Sequence, residues 1–168
     1  PVSSGFFGEA VVWPEVADAL ARRAAREKEA GGGARLVGWA TRACALSPAM
    51  LPRAARSSKL QDEERSSTAE GLARHLPLFR SWLEDASPER RVAGAHAIAW
   101  CASAGPDDAR AMLAAAAKEK SAAALGTDLL TLGVVLHRRG EKGDLALRTR
   151  ELAAKRVGDK NGLVRVCA

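Results

Sequence analysis

The sequence predicts an all-α protein, an α-solenoid of stacked antiparallel helix pairs, and three observations carry that prediction. Asp85, Arg91 and Val92 recur as Asp159, Arg165 and Val166, displaced by 74 positions with the internal spacing of six and seven unchanged. Recurrence at a fixed displacement, between apolar runs of helical length, is the mark of a stacked array and not of one closed globule. Alanine is the commonest residue, aromatics make up 4% and tyrosine is absent, which favours helices packed closely through small side chains over strands. Glycine, proline and serine punctuate the chain at intervals that suit a helix, tight turn, helix unit. The 168 residues accommodate four to five such units of roughly 35–40 residues.

Read in order, the chain is expected to form one repeat domain over 1–168, with a first pair at 9–47, a polar insertion at 48–71, a second pair at 72–104, a third at 105–140 and a truncated fourth at 141–168. The first helix follows Trp13-Pro14 and runs to about Glu29, with Val16, Ala17, Leu20 and Ala24 as its apolar stripe. Gly31-Gly32-Gly33 is expected to end it. A second helix, from Ala34 to about Leu46, carries Leu36, Val37, Ala40, Ala43 and Cys44, and Ser47-Pro48 stops it. From Pro48 to Ser67 the composition shifts to Arg, Ser, Lys, Asp and Glu, the reading being a short helix with flexible ends. Leu72, Leu76, Phe79, Trp82 and Leu83 then make an apolar face, with Pro77 marking a kink or the true helix start.

Asp85-Ala86-Ser87-Pro88 reads as a turn. Ser87 caps the next helix with Pro88 at its first position, and Val92, Ala95, Ile98, Ala99 and Ala102 form one side. Pro106-Asp107 opens a helix through Met112, Leu113 and Ala116 to about Lys118. Ser121 opens its partner, through Leu125, Leu129, Leu132, Val135 and Leu136, and Gly140 closes it. Gly143-Asp144 starts the last first-helix, with Leu145, Leu147 and Leu152, and the loop from Val157 to Gly162 leads to a partner that the chain does not finish. Pro1 is no natural initiator, so the chain is expected to be a piece of something longer.

The run Asp85-Ala86-Ser87-Pro88-Glu89-Arg90-Arg91-Val92-Ala93-Gly94-Ala95, and Asp159 through Ala168 after it, resemble the HEAT repeat. In the middle pair the matching positions hold Glu119 and Leu125, so the acidic member survives and the arginine does not. The resemblance is to the degenerate HEAT-repeat proteins of bacteria with high-GC genomes; it covers residues 72–168 well and 9–47 loosely. It implies a right-handed solenoid with first helices on the convex face and second helices on the concave one. Physics gives the motif an independent reason. A carboxylate at a helix start suits the positive end of the dipole, and an arginine a turn and a half on reaches the acidic residue of a neighbouring repeat, so Asp85, Arg91, Asp159 and Arg165 are assigned to a structural ladder.

Catalytic constellations are absent from the sequence. His75, His96 and His137 are 21 and 41 residues apart, without the spacing of a helical metal site, so no metal and no cofactor are expected. There is no His-Glu dipeptide of the kind that HEAT-like hydroxylases carry, no Gly-x-Ser-x-Gly elbow and no phosphate-cradling glycine loop. Cys44, Cys101 and Cys167 are odd in number and far apart, which argues against a disulfide framework and for a cytoplasmic setting. The function expected is therefore non-enzymatic: a protein–protein interaction scaffold using the concave face. His96 and Trp100 stand at the edge of their helix's apolar stripe beside Ala93 and Ala97, and with Arg90 they make the candidate contact patch. The net charge of +6 supports an alternative, a nucleic-acid-binding solenoid using Arg22, Arg23, Arg26, Arg90, Lys118, Lys120, Arg138 and Arg139 on phosphates. A HEAT-like DNA glycosylase is the enzyme runner-up, suggested by four tryptophans on a basic chain; Trp13, Trp39, Trp82 and Trp100 are, however, expected mostly in core stripes.

Overall fold

The computed structural model describes residues 13–45, 72–101 and 104–168. These form eight helices and, among the described residues, no strand: α1 Trp13–Arg26, α2 Ala30–Ala45, α3 Leu76–Trp82, α4 Pro88–Trp100, α5 Pro106–Lys118, α6 Ala122–Arg139, α7 Asp144–Arg156 and α8 Gly162–Cys167. The insertion at 48–71 and Ala102 lie outside the described residues. No described helix is long and apolar enough to cross a membrane.

Each odd helix packs on the even one that follows it, and the even helices pack in chain order, α2 on α4, α4 on α6, α6 on α8. The starts of these helices follow local chemistry. Ser87 and Ser121 accept from the backbone N–H of Arg90 and Ala124, and Asn161 from that of Leu163, each satisfying a donor that the helix itself leaves unpaired. Pro77 lies in the first turn of α3 and so marks its start, where its missing N–H costs nothing. Gly140 ends α6 in the left-handed conformation at φ 61°, which a side chain would strain.

One continuous core holds the chain from α1 to α7, with Leu72, Phe79, Ile98, Met112 and Leu132 fully enclosed. A second cluster, Ala116, Leu125, Leu129 and Val164, ties α8 to α5 and α6. The α3–α4 contact is tight at Gly94: a Cβ there would stand 2.8 Å from the Phe79 carbonyl oxygen and 2.9 Å from Trp82 Cβ, so the two helices approach here because this residue has no side chain.

Several expectations are corrected. The glycines at 31–33 do not end the first helix; they lie inside the first turns of α2, and the break falls at 27–29. There Glu27 accepts from the backbone N–H of Glu29, and the Glu29 carbonyl accepts from Gly33 to start α2. Gly33 is buried with the Trp82 ring 3.5 Å from where a Cβ would sit, so tertiary packing overrides the low helix propensity of glycine. Val16 and Leu147 are exposed, at 39% and 55%, while Ala21 and Ala146 take buried places on the same helices. Val92 belongs to a surface groove, although Ala95, Ile98 and Ala99 on its helix are buried.

Candidate functional site

The acidic turn residues and their arginines position the second helices. Asp85 accepts from the Ser87 backbone N–H at 2.8 Å, Glu119 from Ser121 at 2.7 Å and Asp159 from Asn161 at 2.9 Å. The residue two positions on is in each case the N-cap just described. Arg91 donates to the carbonyls of Asp85 and Ala86 at 2.7 and 3.0 Å, and Arg165 repeats this on Asp159 and Lys160 at 2.8 and 3.1 Å. Both arginines thus close the turn that launches their own helix, supplying donors to carbonyls at the end of the preceding helix and turn.

Arg91 does more. Its Nε and second amino group grip both carboxylate oxygens of Glu119, 28 residues on, at 2.6 and 2.9 Å, the bidentate geometry that makes guanidinium–carboxylate pairs strong. Burial works to raise the Glu119 pKa, but the Arg91 hydrogen bonds and the Ser121 N–H outweigh it and hold the carboxyl below its ordinary range. A second bridge with the same 28-residue separation joins Arg80 of α3 to buried Asp108 of α5 at 2.5 Å. Asp128, on α6, is 2% exposed, and its Oδ1 has no hydrogen-bond partner. Burial first, and the Glu119 charge second, push its pKa up to about 7 against a partial offset from Arg91.

The even helices leave an open groove of about 700 Å³ between them. Gly31, Ala34 and Gly38 of α2 form one wall, Val92, Ala93 and His96 of α4 the floor, and Ser121 and Ala123 at the start of α6 the other wall; Glu29, Arg35 and Glu89 are its charged residues. The five residues of the candidate patch separate here. Ala93 and His96 line the groove, whereas Ala97 is fully buried. Trp100 is half-buried against the core, donating its indole N–H to His96 Nε2 at 3.3 Å. Arg90 is committed to structure: it pairs with Asp85 at 3.1 Å, donates to the Glu27 and Lys28 carbonyls and lies over the Trp82 ring at 5.6 Å.

Trp39 is the residue that the sequence reading missed. Assigned to a core stripe, it is 56% exposed on α2, one turn beyond Arg35, while Trp82 is buried at 5% as expected. The apolar stripe of α2, from Leu36 to Cys44, centres roughly 100° from Trp39 on a helical wheel, so the signal was present. Leu130 and Val134, 57% and 38% exposed, continue the apolar surface along α6 beyond Ala123.

The basic residues do not gather at this groove. Arg22, Arg23 and Arg26 are exposed on α1, Lys118 and Lys120 flank Glu119 in the turn between α5 and α6, and Arg139 donates to the Ala104 carbonyl. Among the described residues no group of three His, Cys, Asp or Glu side chains is arranged to hold a metal ion. No family model, no curated protein and no solved structure matches the chain.

Proposed function

We propose that the chain is a HEAT-like α-solenoid acting as a non-enzymatic protein-interaction scaffold in the cytoplasm, with a partner segment docking on the face of α2, α4 and α6. The observation that carries the reading is the groove between these three helices, apolar along most of its lining, with exposed Trp39 on α2 and exposed Leu130 and Val134 on α6. Exposed apolar surface that is contiguous and rimmed by polar groups marks an interaction site. The chain-order packing of even helices and the threefold repetition of carboxylate, N-cap and turn support the solenoid. An array of this kind presents more surface per residue than a globule and suits extended partners.

The test compares two kinds of probe by fluorescence anisotropy at roughly 50 and 200 mM salt: labelled amphipathic helical peptides, and a labelled DNA duplex with an RNA. Salt-tolerant peptide binding, abolished by Val92→Glu with Ala123→Glu, is the expected result. Nucleic-acid binding that collapses with salt, with no peptide binding, would overturn it and transfer function to the basic side chains.

A further inference from the structure

The groove reverses the charge of the chain that contains it. The protein carries +6, yet the charged groups lining the groove are the carboxylates of Glu29 and Glu89 and the single guanidinium of Arg35. Glu29 is 74% exposed at its side chain and meets Arg35 only at 3.9 Å, a separation at which an exposed pair neutralises little. Glu89 accepts from the Ser87 hydroxyl at 2.5 Å, and that bond lowers its pKa and keeps it ionised. Glu29 immediately precedes α2, and Glu89 stands in the first turn of α4. Both carboxylates therefore lie at the starting ends of their helices, and the next turns present Ala34, Gly38, Val92 and Ala93.

We propose that the docked segment is an amphipathic α-helix of a partner protein, its apolar stripe over the groove and a Lys or Arg at the end that meets Glu29 and Glu89. The inference rests on the docking reading above and adds the partner's chemistry. A helix fits better than an extended strand because the described residues offer no sheet edge to supply main-chain hydrogen bonds, and the glycines and alanines of the lining let a helix backbone approach closely. The far end of such a helix reaches exposed Trp39, Leu130 and Val134, large side chains suited to anchoring contacts. An acidic partner end, or a phosphate backbone, meets two like charges at this rim, so the same groups that attract a basic end select against anions.

Three labelled peptides of about 18 residues, about 27 Å long as helices, share one leucine/alanine stripe and differ only in a first turn carrying two lysines, two glutamines or two glutamates. Titrated with the whole chain, the lysine peptide is expected to bind about tenfold tighter than the glutamate peptide, with the glutamine peptide between. Glu29→Lys with Glu89→Lys is expected to reverse that order with helical content and Tm unchanged. Should that variant fail to fold, Glu29→Gln with Glu89→Gln is expected to level the three affinities. Equal binding of the three peptides to the wild type, or a ranking that the variants leave intact, would overturn the charge assignment while leaving the docking face standing. Binding of none of them overturns both.

Discussion

Arg91 and Arg165 occupy the same place in two copies of one motif and make the same pair of turn-closing bonds, yet they hold the molecule together to very different degrees. Arg91 also spans to Glu119, whose side chain is 4% exposed, and so links the second helix pair to the third. Among the described residues no arginine reaches the next acidic residue in the same way, position 125 being leucine; Asp159 is instead held within its own pair by Arg156 at 3.4 Å. The joint between the third and fourth pairs is apolar, made by Leu125, Leu129 and Val164, with Leu163 packed against Gly126. Among the described residues no ion pair crosses it. Where the motif's arginine gives way to Leu125, the polar joint is thus replaced by hydrophobic packing while the turn geometry persists.

The largest effect is expected at Arg91. Arg91→Ala leaves the Glu119 carboxylate buried with backbone donors alone, and losing one member of a buried pair is expected to cost about 3–5 kcal/mol. Because the Arg91–Glu119 pair joins the second helix pair to the third, faster amide exchange should appear in α4 and α6 before it appears in α1. Wild-type exchange rates in those helices would contradict the polar joint. Leu129→Ala makes the matching cut in the apolar joint; removing a buried leucine is expected to cost about 2–4 kcal/mol and to loosen α8 first. Its cost should not change between pH 5.5 and 7.5, since among the described residues the cluster and the hydrophobics packed against it include no histidine, aspartate or glutamate.

The polar joint differs in that respect, and Asp128 is the reason. Its folded pKa is raised to about 7, above the ordinary carboxylate value, so the folded chain binds more protons than the unfolded one across the interval between. Its contribution is most favourable at acid pH and is lost as pH rises through 7. Wild type should therefore lose about 2 kcal/mol relative to Asp128→Asn between pH 5.5 and 7.5. The lowered carboxyls, Asp18, Asp85, Glu89 and Glu119, act in the opposite sense and at lower pH, as they protonate. A flat difference between wild type and Asp128→Asn over that interval would mean that the carboxyl finds a hydrogen-bond partner.

What the sequence made legible follows the same division. Elements with capped ends and a period in one strand of chain were readable: the third pair begins at Pro106 and Ser121 and ends at Gly140 as expected, because proline, serine and glycine act through local backbone geometry. Long-range partners were less so. That Arg91 would meet an acidic neighbour was inferable from spacing, but the burial of Asp128 beside that pair depends on how α4 crosses α6, which no local pattern encodes. The glycines of α2 misled for a related reason, their helix being set by contact with Trp82 across the joint between the first two pairs. The structural bonds of Arg90 were not legible, since the carbonyls of Glu27 and Lys28 that it reaches lie 63 and 62 residues away.

Trp39 separates interaction from stability. More than half exposed, it should tolerate Trp39→Ala with a change within about 0.5 kcal/mol. The same substitution is expected to weaken the helical peptides about tenfold or more, as loss of an aromatic anchor does. Trp100→Ala, by contrast, should destabilise measurably, its indole being packed on the core and bonded to His96. Equal stability losses at the two positions would place Trp39 in a contact outside the described residues.

Only a small loss of stability is expected at the second copy of the motif. Arg165 is exposed, and its described bonds are the two turn carbonyls of Asp159 and Lys160. Water replaces those donors at little cost when the guanidinium is removed, so Arg165→Ala should lower stability by only about 0.5–1 kcal/mol. Leu125→Arg asks the converse question, restoring the motif's arginine at the apolar joint. Leu125 is 4% exposed inside the cluster with Val164, and a guanidinium there must either displace that packing to reach Asp159 or remain buried without a partner. The substitution should therefore destabilise more than Arg165→Ala by several-fold, measured by denaturant midpoint. A neutral outcome would mean that the leucine is an interchangeable occupant of a site built for arginine, and that the two joints differ by one side chain and not by the packing around it.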